Sequence, residues 1–548
     1  MSVKSSPNRY AGQHNQFSKL PALVLLGLGA GIVTAGAISL FRFLIELPVQ
    51  VYTAMGVDHS SPWVRFMIPV IGAALFWLFW RSQSPSSRRV GVPHLYEHLS
   101  YHHGELPMRN LFNQLIGAAL AIGTGQPVGR EGPGVHIGAA ISSWLGLKSG
   151  ISYNHQRLLF GCGSAAAIAA LFNTPLAGVL FAMEVILLEY SLAGFTAIIV
   201  AAISADALTR HIFGNPEPLG HSIVSTGILE QIPVLVALTL CIGFAGLIFQ
   251  QILVTLTKNR SKYLSLNIMT TGVLVGLLLA IEPNFVTSVH HVMQNTLELE
   301  YNSTELWQFT LFYLLVPPIV LGLGIPGGLI GPSLTAGALI GALLSVSMGS
   351  WGHNVDATTL SLIGMAAMLS AVIHAPLAAL LAVFELSGSV QTLTLAMTVI
   401  VLSDLMMRSL FRMPSIFERL LTAQGLSRDT HLYRRVMMSS NVRDLMDDSF
   451  HDHRGRGGID SSIESNWHLV DHDDQHRVFS HAEMTEELTD SAVDSASFCS
   501  VDVRSSLLQA LDTMHREGCE RLIVTKKGIV QGILSQKHIE DFYRNVED

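Results

Sequence analysis

Gly129-Arg-Glu-Gly-Pro-Gly-Val-His-Ile-Gly138 decides how this chain is read, because Gly328-Leu-Ile-Gly-Pro-Ser-Leu-Thr-Ala-Gly337 echoes it 199 residues later. A longer echo follows. Residues 163–184 lie over residues 364–385 without a gap, and nine of 22 positions are identical. A duplicated apolar unit broken by Gly and Pro is the pattern of membrane transport proteins, whose site lies where the copies meet. The first copy carries Arg130 and Glu131 where the second has Leu329 and Ile330, and that asymmetry points to chemistry.

The 548 residues around this repeat are 49% apolar and 14% charged, against an average of about 25% charged. Residues 425–548 hold 23 of the acidic and 14 of the basic residues, so the net charge of −8 resides in the tail. An acidic tail argues against nucleic acid and against docking on anionic lipid. The polar first 19 residues carry Lys4, Arg9 and Lys19 without an apolar core. They do not read as a secretory signal, and their charge favours a cytoplasmic N-terminus. Cys162, Cys241, Cys499 and Cys519 have no metal-like spacing and read as packing residues.

Apolar segments fill residues 20–424. Some reach the roughly 20 residues needed to span a bilayer, and others are cut by Gly or Pro into pieces of about 10–15. Several pieces open on proline, at Pro133, Pro175 and Pro332, which suits a first helical position. Broken helices at membrane depth persist only where their free backbone groups face protein or a watery cavity. The expected fold is an all-α polytopic membrane protein, an inverted repeat of broken helices with halves at about 20–215 and 230–424. A cytoplasmic N-terminal segment (1–19) precedes it, and a linker (425–440) leads to a small α/β tail (441–548). In that tail, 441–447 reads as a strand entering a helix, 468–470 and 478–479 as strands, and 482–488 as a helix. The order then recurs, with a helix at 505–517, strands at 521–525 and 529–534, and a helix at 537–546.

A helix N-terminus offers free N–H groups and about half a unit of positive charge, which attract an anion without a lysine's grip. Several such ends converging from two halves bind a monovalent anion and still release it, and conduction needs both. Glu131 lies at one of these ends. A carboxylate in an apolar segment costs about 2.5–3.5 kcal/mol on insertion scales, so it reads as functional. Ionised, it takes the anion's place; protonated or displaced, it swings aside.

Gly129-Arg-Glu-Gly-Pro133, Gly324-Ile-Pro-Gly-Gly328 with Gly331-Pro332, and Asn173-Thr-Pro-Leu-Ala-Gly178 resemble the signature segments of the CLC family of chloride channels and chloride/proton antiporters. The resemblance covers about residues 20–424. It implies a homodimer in the inner (plasma) membrane, one chloride pore per subunit, antiparallel halves, and both termini in the cytoplasm. The family's gating glutamate falls on Glu131, and its anion-binding amides fall on Gly129, Arg130, Glu131, Leu329 and Ile330. Three positions depart from the family pattern. Val90 stands where a serine hydroxyl usually holds the central anion, and Phe417 where a tyrosine does. Each lost hydrogen bond to a charged partner is worth about 1.5–3 kcal/mol, so central binding is expected to be weaker. The inner proton-relaying glutamate of many antiporters falls on Val185, after Glu184, which favours a channel, with a chloride/proton antiporter as the alternative.

Glu184, matched by Glu385, reads as a repeated structural carboxylate between helices. His136 and His374 read as packing residues, and His451, His453, His468, His472, His476 and His481 as solvated residues of the tail, since their spacing fits no closed metal site. The tail resembles tandem CBS domains, which bind adenine nucleotides in some members. Their ribose-contacting Ser/Thr and Asp become Ser480 with Glu483 and Ser535 with His538, so the tail reads as a structural or dimer-supporting part first. No other cofactor is expected. Nor is an enzyme expected, since no intramembrane nucleophile with a base, no His-Glu-x-x-His and no phosphate loop occurs. A membrane-embedded enzyme or sensor is the distant alternative.

Overall fold

About 20 residues of apolar helix cross the roughly 30 Å of a bilayer's hydrocarbon, and eight helices among the described residues are long and apolar enough. The computed structural model describes residues 20–56, 61–214 (except 103, 152 and 191) and 228–426 (except 261–262, 286–287 and 350–355). Beyond these it describes 437, 440–452, 467–472, 475–480, 499–526 and 529–547. The expected segment 1–19, most of the 425–440 linker, the tail helix at 482–488, and Glu483 and His481 lie outside the described residues. By its contacts the chain forms two compact units, one of residues 16–149 and 157–428, which holds nearly all of the apolar helices, and the other holding the tail from residue 429 together with residues 150–156.

In the first unit, the leading half comprises α1 (Leu20–Ala54), α2 (Pro62–Arg81), α3 (Val92–Tyr101), α4 (Met108–Gly123), α5 (Glu131–Ser149), α6 (Tyr153–Phe172), α7 (Pro175–Phe181, followed by a π turn through Leu187) and α8 (Leu192–Phe213). The second half repeats the order with α9 (Ile228–Lys258), α10 (Leu264–Ile281), α11 (Val289–Leu297), α12 (Ser303–Leu323), α13 (Ile330–Gly349), α14 (Ala357–Ile373), α15 (Pro376–Ser387) and α16 (Val390–Leu405). A short helix, α17 (Ile416–Ala423), follows. The fold expectation for residues 20–424 is met.

Reciprocal contacts relate the halves. The Glu385 carboxylate accepts the Leu176 and Ala177 amides at the start of α7, both at 2.9 Å. Glu184 does the same for Leu377 (3.2 Å) and Ala378 (2.9 Å) at the start of α15. Each repeat therefore caps the other's broken helix, and this mutual exchange is the mark of a two-fold relation. Two matched ion pairs repeat the theme. Arg210 pairs with Asp206 and donates to the Asn173 carbonyl, while Arg408 pairs with Asp404 and donates to the His374 carbonyl. Asn173 and His374 are the left-handed residues (φ 57° and 64°) at which the chain turns into α7 and α15.

Small residues bring these helices close. Gly138 of α5 meets Gly163 of α6, and Gly337 of α13 meets Gly364 of α14, so that a methyl on any of the four would enter the facing backbone. Two helices start earlier than the prolines suggested, since α5 begins at Glu131 and α13 at Ile330. Pro133 and Pro332 thus occupy the third helical position, where a missing N–H is still harmless because that donor has no partner within the helix.

The tail contains a short helix, α18 (Val442–Leu445), and two three-stranded sheets of the same design. In the first, β1 (Phe450–Asp452) runs parallel to β2 (Trp467–His472), which pairs antiparallel with β3 (Gln475–Ser480). In the second, β4 (Cys499–Asp502), α19 (Leu507–Glu517), β5 (Arg521–Lys526), β6 (Ile529–Ser535) and α20 (Gln536–Glu547) follow in order, with β4 parallel to β5 and β5 antiparallel to β6. Leu507, Leu511, Leu522, Val524 and Ile539 form its core. One expectation needs correcting, because Cys499 and Cys519 form a disulfide besides packing in that core. Gly518, left-handed at φ 68°, reverses the chain after α19 and returns Cys519 to the start of β4.

Replacing Glu385 by Ala removes two charge-assisted caps and is expected to cost about 2–4 kcal/mol. Thermal unfolding of the detergent-purified protein checks this, and an unchanged midpoint would show that the caps contribute nothing.

Candidate functional site

The two echoing motifs meet. Gly129 and Gly328 form an isolated antiparallel bridge, each amide donating to the other's carbonyl at 2.7 Å. Glycine is required on both strands of this crossing. A Cβ on Gly132 would lie 2.8 Å from Gly328 Cα, and one on Gly328 would lie 2.6 Å from the Gly132 nitrogen. The first turns of α5 and α13 start beside the bridge, with Gly134 bonding back to Arg130 and Ser333 back to Leu329. Amides at residues 130–132 and 329–331 therefore precede the first intrahelical donors, and two helix N-termini share one place.

Glu131 occupies that place. Its side chain is buried, and Oε2 accepts the Gly331 amide at 2.9 Å. The carboxylate of one repeat thus sits on the helix N-terminus of the other, and its oxygens stand where an anion bound to those amides would stand. The neighbouring cation is held elsewhere, since the buried Arg130 sends Nη2 to the Leu171 carbonyl (3.2 Å) near the end of α6. A cation there complements the negative end of the helix dipole.

Cavities reach this junction. One of about 140 Å³ is walled by Arg130, Glu131, Val128 and His290. Another, of about 470 Å³, is walled by Val90, Leu329, Ile330 and Phe417, with Gly132 and Gly328 at its edge. The structure therefore gathers Gly129, Arg130 and Glu131 at the bridge and brings Val90, Leu329, Ile330 and Phe417 into one cavity beside it. Neither Val90 nor Phe417 offers a hydrogen-bond donor there.

Sequence reasoning missed Tyr96. Its hydroxyl donates to the Val185 carbonyl at 2.6 Å, and its ring meets Phe417 edge-on with centroids 5.9 Å apart. Tyr96 lies on the helix that follows the Val90 motif, but no pattern in the chain marks it. It places an apolar lock, with its one hydroxyl engaged, between Val185 and Phe417. Among the described residues, no group of three or more His, Cys, Asp or Glu is arranged to hold a metal ion.

Comparison with known proteins gives a consistent result. Residues 72–408 match the family described as voltage gated chloride channel. The voltage-gated ClC-type chloride channel ClcB of Salmonella typhimurium is 26% identical over 414 residues, covering 72% of this chain and 98% of its own. Among solved structures, a slow cyanobacterial Cl−/H+ antiporter superposes with a TM-score of 0.65 at 22% identity, over 74% of this chain and 97% of the antiporter. A eukaryotic CLC transporter superposes with a TM-score of 0.62 at 19% identity, over 94% of this chain and 97% of its own. Such distant identities establish the shared fold, and the second alignment extends into the tail.

Val90→Ser and Phe417→Tyr each add a hydroxyl to a wall of the larger cavity. Each is expected to tighten halide binding about tenfold, measured by calorimetric titration of the purified protein. Unchanged affinity in both variants would place the central anion away from that wall.

Proposed function

Because this chain belongs to the voltage gated chloride channel family, we propose that it is a channel-like chloride pathway gated by Glu131. The observation that carries this reading is the bond from the Gly331 amide to the Glu131 carboxylate at the meeting of two helix N-termini. An ionised carboxylate there competes with chloride for the amides of residues 130–132 and 329–331, while the Gly129 amide, expected to bind the anion, is taken by the Gly328 carbonyl. Protonation removes the charge that holds it, so the path opens as pH falls.

The preference for a channel rests on Val185. An antiporter needs a titratable group that delivers protons to the gate from the other side. Valine cannot titrate, and its carbonyl is already engaged by Tyr96. Chloride/proton exchange is the alternative reading. The proposed setting is a homodimer in the inner membrane with one pathway per subunit and both termini cytoplasmic.

For the tail we propose a CBS-like pair that supports the dimer. The Ser535 hydroxyl already accepts the His538 amide at 3.3 Å, capping the last helix. That hydroxyl still has its O–H to donate, but His538 supplies no carboxylate, so adenine nucleotide binding is not expected at this position.

Two measurements test this. In liposomes, Glu131→Gln mimics the protonated gate and is expected to pass chloride at a rate independent of pH, whereas the unaltered protein speeds up as pH falls. A pH dependence that survives Glu131→Gln refutes the gating role. A chloride gradient with a pH-sensitive dye separates the two transport readings. No uphill proton movement is expected, and its appearance would make the protein an antiporter.

A further inference from the structure

The larger cavity has polar side chains that the gate does not use. His94 of α3 and Gln114 of α4 both line it, and both are buried. His94 Nδ1 lies 3.1 Å from Nε2 of His136 in α5. His136 is fully buried, and its own Nδ1 has no partner.

Two neutral imidazoles can share that contact in two ways. If His94 donates from Nδ1, His136 must carry its proton on Nδ1, as a buried N–H with no acceptor. If His136 donates from Nε2, the orphan is only a ring lone pair, and His94 carries its proton on Nε2. Orphaned buried N–H groups are rarer than under-satisfied acceptors, so the second arrangement prevails. His94 Nε2 has no protein acceptor among the described residues, so its N–H is left for a ligand in the cavity that His94 lines.

Gln114 adds an independent observation. It is 1% exposed, and neither its Oε1 nor its Nε2 has a partner. A buried amide with both ends unpaired calls for a ligand. The charged groups lining the same cavity are Arg88, Arg89 and Arg260 against Glu97. Arg89 pairs with Glu97, leaving a positive excess that favours an anion.

We propose that His94 Nε2–H and the Gln114 amide hold a chloride ion in this cavity, in place of the hydroxyls that Val90 and Phe417 lack. His136 is a positioning residue that fixes the His94 tautomer. The inference rests on the chloride-transport reading and adds two chloride ligands to it.

Calorimetric titration of the full-length protein with sodium chloride, alongside chloride efflux from liposomes, tests it. His94→Leu and Gln114→Leu are each expected to weaken binding about tenfold, as for one lost hydrogen bond to a charged partner. The half-saturating chloride concentration of efflux should rise while the maximal rate holds, a split that a purely structural role would not produce. His94→Gln keeps a donor and should stay within about threefold of the unaltered protein. If His94→Leu does not fold, Gln114→Leu decides. Unchanged affinity in Gln114→Leu, or in a folded His94→Leu, overturns the proposal. With normal efflux by the unaltered protein, that result would leave the transport reading intact. An unaltered protein that passes no chloride takes down both readings.

Discussion

Two hydrogen bonds between Gly129 and Gly328 hold the structure's functional centre together. They are short backbone bonds between segments nearly 200 residues apart, and they bring the first turns of α5 and α13 to one point. Nothing larger than glycine fits the crossing. The bridge also explains why the helices break where they do. A continuous span would satisfy its own amides, whereas a span that starts at mid-depth leaves them free for a ligand. Neighbouring helices must then close around the break. The reciprocal Glu184 and Glu385 caps do so for the next broken pair, α7 and α15, where no ligand is needed. The same architecture is thus used twice, once with the helix starts capped reciprocally by Glu184 and Glu385 and once with Glu131, which the proposed gating displaces.

Much of this was legible in the sequence. The gapless overlay of 163–184 on 364–385 revealed the two-fold relation, and Glu131 against Ile330 marked where the copies differ at the junction. The pairing of Glu184 with Glu385 also followed from the repeat. The first turns of α5 and α13 were misplaced by two residues, because proline suits a first helical position and tolerates the third just as well. The remaining misses involve contacts that no local pattern encodes. Tyr96 meets Val185 and Phe417 from distant segments, His94 meets His136 across 42 residues, and Gln114 is conspicuous only because it lacks partners. The Cys499–Cys519 bond was missed for the same reason, since a turn at Gly518 brings the pair together without a recognisable spacing.

The asymmetry between the copies has a physical rationale. Two carboxylates facing each other at a shared helix terminus would repel and would leave no room for an anion. Two apolar residues would leave the amides permanently open. One carboxylate reaches from the first copy to the Gly331 amide of the second, and in the proposed gating it stands in for the anion whose charge it matches. On the proposed reading, the difference between Arg130-Glu131 and Leu329-Ile330 is what makes a gate of an otherwise symmetric pair of helix ends.

The same reasoning bears on the cations near the path. A buried guanidinium free to face the ion would hold it too strongly to let it leave. Arg130, adjacent to Glu131, directs Nη2 to the Leu171 carbonyl. Arg89 pairs with Glu97, and Arg260 gives both Nε and Nη2 to the Gly322 carbonyl. With these donors directed to protein groups, the direct contacts left for an anion at the junction are amide N–H groups, and the remaining guanidinium charge acts from a distance. In the proposed pathway such a site would release its ion as readily as it binds it. Its occupancy would then be sensitive to small differences in competing affinity, which is why the proposed gating needs a single carboxylate.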